Sequence, residues 1–260
     1  MPATTFSRLW DRLISEGVVS ITVTELANRA GTTKEAAFRA VHDAKNAGVL
    51  FSPARGLYVL VPPEYRSWGT VPADWYVEDM MHHMGRKYYV SFLTAAGLLG
   101  ASHHAAQLFQ VVVDRTVRDR EICGVRLRFY QSTAMETHAT EQAMFPTGVI
   151  TVATPETCVL DLAERPDAAG GFNTILEVVP ELMIDPEVLF DCARLRPRAI
   201  ARRCGWMLSQ THPGLTLDKL EALAAPTARN PTPLVASGGR TGPVDPRWGV
   251  IVNTLAVEGS

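Results

Sequence analysis

Residues 22 to 35 hold two Thr-x-x-Glu boxes, Thr22 to Glu25 and Thr32 to Glu35, with Gly31 between them. In such a box the threonine hydroxyl accepts from the backbone N–H three residues on, while the glutamate reaches back to the threonine N–H. Each box therefore marks a helix start. The spacing predicts one helix over 23–30, a tight glycine turn, and a second helix over 33–47. A short Gly-containing turn lets the second helix leave the first steeply, which is the outline of a helix-turn-helix able to lay one helix in a DNA groove.

The flanking residues complete a three-helix unit. Phe6, Leu9, Trp10, Leu13 and Ile14 repeat at helical spacing and stop at Gly17. In the second helix Leu26, Ala27 and Ala30 face inward. In the third, Ala37, Phe38, Val41 and Ala44 form the expected buried face. Glu35, Arg39, His42 and Asn46 stack on the opposite side, flanked by Lys34 and Lys45. Arg39, His42 and Asn46 are expected towards base edges, and Thr32, Thr33, Lys34 and Lys45 on phosphates, with Glu35 spent on capping. Such a row also suits a plain solvated face; the capped helix and tight turn before it favour DNA. Past Gly48, Val49-Leu50-Phe51 and Leu57 to Val61 read as strands around Ser52-Pro53-Ala54-Arg55-Gly56. A hairpin here makes the unit a winged helix-turn-helix, with Arg55 at the wing tip within reach of the phosphate backbone or minor groove.

The 260 residues, 47% hydrophobic, provide for two domains, expected at 1–66 and 67–260. Apolar stretches fall well short of a membrane span, and no charged start precedes an apolar run, so a cytoplasmic protein with no membrane partner is expected. A net charge of −2 argues against unspecific coating of nucleic acid, although residues 1–66 carry eight Lys or Arg against six Asp or Glu. Cys123, Cys158, Cys192 and Cys204 form no Cys-x-x-Cys pair and lack a His at ligand spacing, so neither a metal site nor a disulfide framework is expected.

Beyond Pro62-Pro63, residues 62–74 read as a linker or ordered connection. Helices are expected over 75–84 and 88–99, then strands over 108–113, 125–129 and 149–152. Thr154-Pro155-Glu156 has the cap, N1 proline and early acid of a helix start. Further helices are expected over 171–181, 186–195 and 198–211, and a last strand over 248–253, after a Pro- and Gly-rich loop at 226–246. Strands and helices mix without regular alternation, so the class is α+β.

No enzymatic constellation emerges. Nucleotidyl transfer needs clustered carboxylates to hold Mg²⁺ after a Gly-Ser turn. Gly100-Ala101-Ser102 followed by Asp114 is a near miss, because Thr116 stands where a second acid belongs and Asp119-Arg120-Glu121 is displaced into a charge-dense hairpin. His82-His83 and His103-His104 are adjacent pairs, not metal spacings, and suit exposed or locally bonded histidines. Asp161 and Glu164 lack a nucleophile and suit a structural ion pair. The expectation is no catalytic residue, no metal and no cofactor. Arg194, Arg196, Arg198, Arg202 and Arg203 form the densest cationic segment, either an auxiliary nucleic-acid or partner surface or a solvated face.

The ordered motifs Gly56-Leu57-Tyr58, Pro62-Pro63, Tyr88-Tyr89-Val90-Ser91, Gly97 to Gly100, Val152-Ala153-Thr154-Pro155-Glu156, Leu160-Asp161-Leu162, Gly170-Gly171 and Arg247-Trp248-Gly249-Val250 with Val252-Asn253 resemble the AbiEi-type antitoxins across nearly the whole chain. The resemblance implies a transcriptional autorepressor that binds inverted repeats in operator DNA. It also implies an antitoxin of a type IV toxin–antitoxin system that counters a cognate nucleotidyltransferase-type toxin, by direct contact or through a shared target. The alternatives are a winged-helix protein-interaction module that never meets DNA, and a metal-dependent nucleotidyltransferase or nuclease.

Overall fold

A computed structural model describes residues 3–101, 108–225 and 230–253, with side chains from Phe6 onward. The chain is of mixed α+β class. It opens with α1 (Ala3–Ser15), β1 (Ser20–Thr22), α2 (Val23–Ala30), α3 (Lys34–Asn46), β2 (Leu50–Ala54) and β3 (Leu57–Leu60). The two helices after the first threonine box thus form, and a hairpin follows them. β3 pairs antiparallel with both β1 and β2, in the order β1-β3-β2. Leu9, Leu13, Ile21, Leu26, Ala37, Val41, Leu50 and Leu60 meet in one core between the helices and this sheet, which is what amphipathic helices must do with their apolar stripes.

Two compact units divide the chain. The first comprises 1–88, 107–131 and 142–151, and the second 89–106, 132–141 and 152–260. The division is drawn differently from 1–66 and 67–260, because the residues after the hairpin join the same compact body. Short 3₁₀ turns at Pro63–Tyr65 and Ala73–Trp75 lead into α4 (Val77–His83). There the Ser20 hydroxyl donates to Asp79 Oδ2 at 2.6 Å, and the Phe51 ring meets Tyr76 edge-on at 5.3 Å. The Arg120 guanidinium donates to the Pro53 carbonyl.

A six-stranded sheet is built from β4 (Tyr88–Val90), β5 (Leu108–Val113), β6 (Arg120–Ile122), β7 (Val125–Gln131), β8 (Thr140–Phe145) and β9 (Gly148–Ala153). Its order is β6-β7-β5-β4-β9-β8. β5 and β7 run parallel from Leu108↔Arg126 to Val113↔Gln131, and β6 folds back antiparallel on β7. Residues 88–99, expected as one helix, divide into β4 and α5 (Phe92–Leu98). The aromatic and β-branched Tyr-Tyr-Val triplet is buried throughout and fits a pleated interior position.

In the second unit α6 (Pro155–Glu164) carries the expected threonine cap, Thr154 Oγ1 accepting from Thr157 N. It is followed by α7 (Phe172–Val178), α8 (Pro186–Ala193), α9 (Arg198–Thr211) and α10 (Asp218–Ala224); α10 was not expected. α6 is buried from Glu156 to Ala163, as befits the helix at the unit's centre. The long loop at 226–246 contains β10 (Thr232–Pro233) and β11 (Val244–Asp245), which flank β12 (Val250–Ile251) in the order β10-β12-β11. Short pairings of this kind leave no periodicity to read, and the expected last strand shrinks to two residues. Among the described residues no helix is long and apolar enough to cross a membrane.

Candidate nucleic-acid interface

α2 is fixed at both ends. Thr22 Oγ1 accepts from Glu25 N at 3.3 Å, and Glu25 Oε2 accepts from Thr22 N at 2.8 Å, a reciprocal box. The Thr22 N–H and the Thr22 hydroxyl, both donating to Oε2, hold the Glu25 carboxylate below its ordinary pKa. At the far end Gly31 adopts φ +61°, and Thr32 N reaches back to Ala27 O at 3.0 Å, so the left-handed glycine satisfies the last carbonyls of α2. The second box shifts by one residue. Thr33, not Thr32, caps α3, accepting from Ala36 N at 3.3 Å. Glu35 serves the same helix start, its pKa lowered by its own backbone N–H and the Thr33 hydroxyl.

From this anchored start α3 exposes Lys34, Glu35, Arg39, His42, Lys45 and Asn46 to solvent. His42 and Asn46, one turn apart, are joined through Nδ1 and Nδ2 at 3.3 Å, and His42 Nδ1 lies 3.7 Å from Asp43. Lys34, Arg39 and Lys45 have no carboxylate within 4.0 Å among the described residues. Their charge is available to a ligand. Ala37, Ala40, Val41 and Ala44 make the buried face. Phe38, expected in that face, is instead 59% exposed. Phe38 stands at the edge of the face centred on Ala37, Ala40, Val41 and Ala44 and lies outside it, lining a groove with Val23, Lys34, Glu35 and Arg39. Apolar character at this position was legible in the sequence; its exposure was not.

At the hairpin tip Arg55 is exposed, and its carbonyl is 3.0 Å from His83 Nε2. His83 is thus locally bonded, and adjacent Gly56, at φ +85°, makes the turn. His103 and His104 lie outside the described residues.

The five arginines of 194–203 do not form one surface. Arg194 is exposed and bonded to Asp191 at 2.9 Å. Arg196 is buried, with Nη1 2.6 Å from Asp161 and 3.3 Å from Glu164. Asp161 and Glu164 therefore share a structural ion pair. Arg198, Arg202 and Arg203 stand at the start of α9, where Arg198 is exposed, Arg202 half-buried and Arg203 9% exposed.

Around Asp161 the second unit assembles a buried polar centre. Ser91 Oγ donates to Asp161 Oδ2 at 2.6 Å and Tyr89 OH donates to the same oxygen at 3.1 Å. Tyr89 OH is also 2.6 Å from His138 Nδ1. A phenol has one proton, so with that proton on Asp161 the oxygen accepts from His138, whose Nδ1 carries the hydrogen. Burial, reinforced by the positive Arg196, pushes the His138 pKa down to about 4, and burial beside Asp161 raises that of Tyr89. This centre links Tyr89 and Ser91, two residues of one sequence motif, to Asp161 of another.

Among the described residues no three His, Cys, Asp or Glu side chains gather as a metal site. Asp114 lies 3.8 Å from Arg115, and Asp119 accepts from Phe129 N at 3.0 Å, so these acids have local partners.

The chain is similar in fold to the crystal structure of the RV2827C protein from Mycobacterium tuberculosis, at a TM-score of 0.67 and 17% identity, over 95% of this chain and 91% of that one. A comparison with curated proteins gave no match. Residues 89–210 match the family model for the AbiEi antitoxin C-terminal domain. That match contains the Tyr89–Ser91–Asp161–Arg196 centre and the helices around it. Through residues 89–210 the chain thus matches the AbiEi antitoxin family, as its ordered motifs lead one to expect.

Proposed function

We propose that residues 1–66 are a winged helix-turn-helix that reads operator DNA, and that the chain is a cytoplasmic, non-enzymatic autorepressor and antitoxin of a type IV toxin–antitoxin system. The observation that carries the DNA reading is the exposed face of α3, where Arg39, Lys34 and Lys45 have no acid partner among the described residues, on a helix whose start is capped by Thr33 and which follows a helix capped by Thr22. In the proposed complex α3 enters the major groove. Arg39, His42 and Asn46 meet base edges, Thr32, Thr33, Lys34 and Lys45 hold phosphates, and Arg55 of the wing touches the flanking backbone. The hydroxyl of Thr33 accepts from Ala36 N, so only its proton can serve a phosphate oxygen, and that contact takes the proton from the Glu35 carboxylate. Phe38 offers an apolar plate suited to a thymine methyl.

The AbiEi match supports the antitoxin role, and the resemblance supplies the nucleotidyltransferase-type toxin as the target. The exposed Phe38 also favours a second reading, in which the same face docks a protein and not DNA.

The test is an electrophoretic shift with the DNA upstream of this gene, comparing wild type with Arg39→Ala/Lys45→Ala in about 0.15 M salt, since backbone contacts are strongly salt-dependent. The DNA reading expects a specific shift that the double variant loses. No shift by folded wild type would leave the protein-docking reading. The antitoxin role is tested separately by co-expression with a nucleotidyltransferase-type toxin sought beside this gene, whose growth arrest the chain is expected to relieve.

A further inference from the structure

The first turn of α9 and the chain around β10 enclose a cleft of about 330 Å³ lined by Arg198, Arg202, Arg203, Arg240, Asn230 and Thr232. None of these four guanidiniums has a carboxylate within 4.0 Å among the described residues, whereas Arg194, Arg196 and Arg247 each do. The cleft concentrates positive charge that its own walls leave unbalanced. Four like charges so arranged repel one another and are stabilised by an anion between them.

The walls are set in place before any ligand arrives. Arg202 donates to the carbonyls of Ala224 at 3.0 Å, Ala225 at 2.8 Å and Asn230 at 3.1 Å, and to Thr232 Oγ1 at 3.4 Å. Arg203 Nε donates to Pro233 O at 2.9 Å. Arg240 Nη2 donates to Pro231 O at 2.6 Å and Asn230 Oδ1 at 3.3 Å. Each retains donors beyond these bonds, since a guanidinium has five. The Arg198 side chain has no hydrogen bond or ion pair among the described residues. α9 also begins on Pro197 with no side-chain cap, so its first backbone N–H groups, at Arg198 and Ala199 on the cleft wall, add the positive end of a 14-residue helix.

A phosphate monoester carries about −1.5 to −2 near neutral pH, so a chain of two or three phosphates matches the charge of four arginines. Arg203, only 9% exposed, can be met only by a group that enters the cleft, which a thin phosphate chain does and a duplex surface does not. We propose that this cleft binds a linked di- or triphosphate, as carried by a nucleotide or by inorganic polyphosphate. The site lies wholly in the second unit and is independent of the DNA reading.

Titration calorimetry of the full chain with inorganic tripolyphosphate, and in parallel with ATP, tests this. Saturable one-to-one binding is expected in wild type, weakened at least tenfold by Arg198→Ala/Arg240→Ala and unchanged by Arg194→Ala. Because the Arg198 side chain is exposed and has no partner among the described residues, Arg198→Ala alone preserves the fold and should weaken binding severalfold. Equal affinity for both probes would identify the phosphate chain as the recognised group, and tighter ATP binding would identify a nucleotide as its source. Absence of saturable binding to wild type, affinity unaltered by the double variant, or equal binding of orthophosphate would overturn the proposal.

Discussion

Arg196 and Arg194, two residues apart, are expected to differ sharply in what their removal costs. Arg196 neutralises Asp161 inside the second unit, so Arg196→Met leaves a buried carboxylate unpaired and should cost about 3–5 kcal/mol of unfolding free energy. Arg194 holds Asp191 in solvent, and Arg194→Met should cost less than about 1 kcal/mol. Urea titration of both variants measures the contrast, and similar midpoints would contradict the assigned burial. His138 adds a pH dependence. The folded state keeps it neutral down to about pH 4, while the unfolded chain protonates near the ordinary value of 6.5. Unfolding therefore takes up a proton between these values, so this residue's contribution to stability falls as pH drops through that window and is constant above it. His138→Gln should shrink the loss of urea midpoint between pH 7 and 5. The sequence shows Arg196 as one of five clustered cations and Asp161 as one of two helical acids. Their pairing spans 35 residues, a separation over which no periodicity carries information.

At the level of elements, the caps were the most legible signals, because a hydroxyl and a backbone N–H three residues apart act locally whatever the rest of the chain does. α2 and α9 begin and end where composition and spacing put them. Local rules still left a choice of one residue at α3, which the fold resolves in favour of Thr33. Thr33→Ala should therefore cost about 1 kcal/mol in a urea titration, and Thr32→Ala much less, with equal costs arguing for a shared cap. Phe38 marks the limit of the same local rules: helical spacing defines a face, not which residue at its edge is covered. Close packing also explains Gly205 within α9. A Cβ there would stand 2.1 Å from the Trp248 ring, whose Nε1 donates to Ser209 Oγ at 2.9 Å. Gly205→Ala should cost about 1–3 kcal/mol or more and alter the near-ultraviolet tryptophan dichroism, whereas an unchanged spectrum would mean that α9 and Trp248 do not meet so closely. The glycine is unremarkable in sequence, since its tryptophan lies 43 positions away.

For the whole molecule, a formal charge of −2 means that the DNA affinity proposed for α3 and the wing rests on local cations and not on the overall charge. Engagement of about six phosphates gives a log–log salt slope near −5, and a slope near zero measured by fluorescence anisotropy would refute the electrostatic part of the DNA reading. The first unit also makes residues 1–66 an incomplete body, since Asp79, Tyr76 and Arg120, which bond or pack against β1 and β2, lie beyond them. A 1–66 fragment should unfold at lower urea than the same residues in the full chain, followed by Trp10 fluorescence. The same interleaving bears on synthesis. The backbone passes between the two compact bodies repeatedly up to residue 152, so a ribosome that has released α2 and α3 must still add the residues up to Arg120 before that side chain can hold the Pro53 carbonyl of the hairpin. Translation order thus sets a delay between the appearance of α3 and its final consolidation, a delay that a contiguous N-terminal cassette does not have.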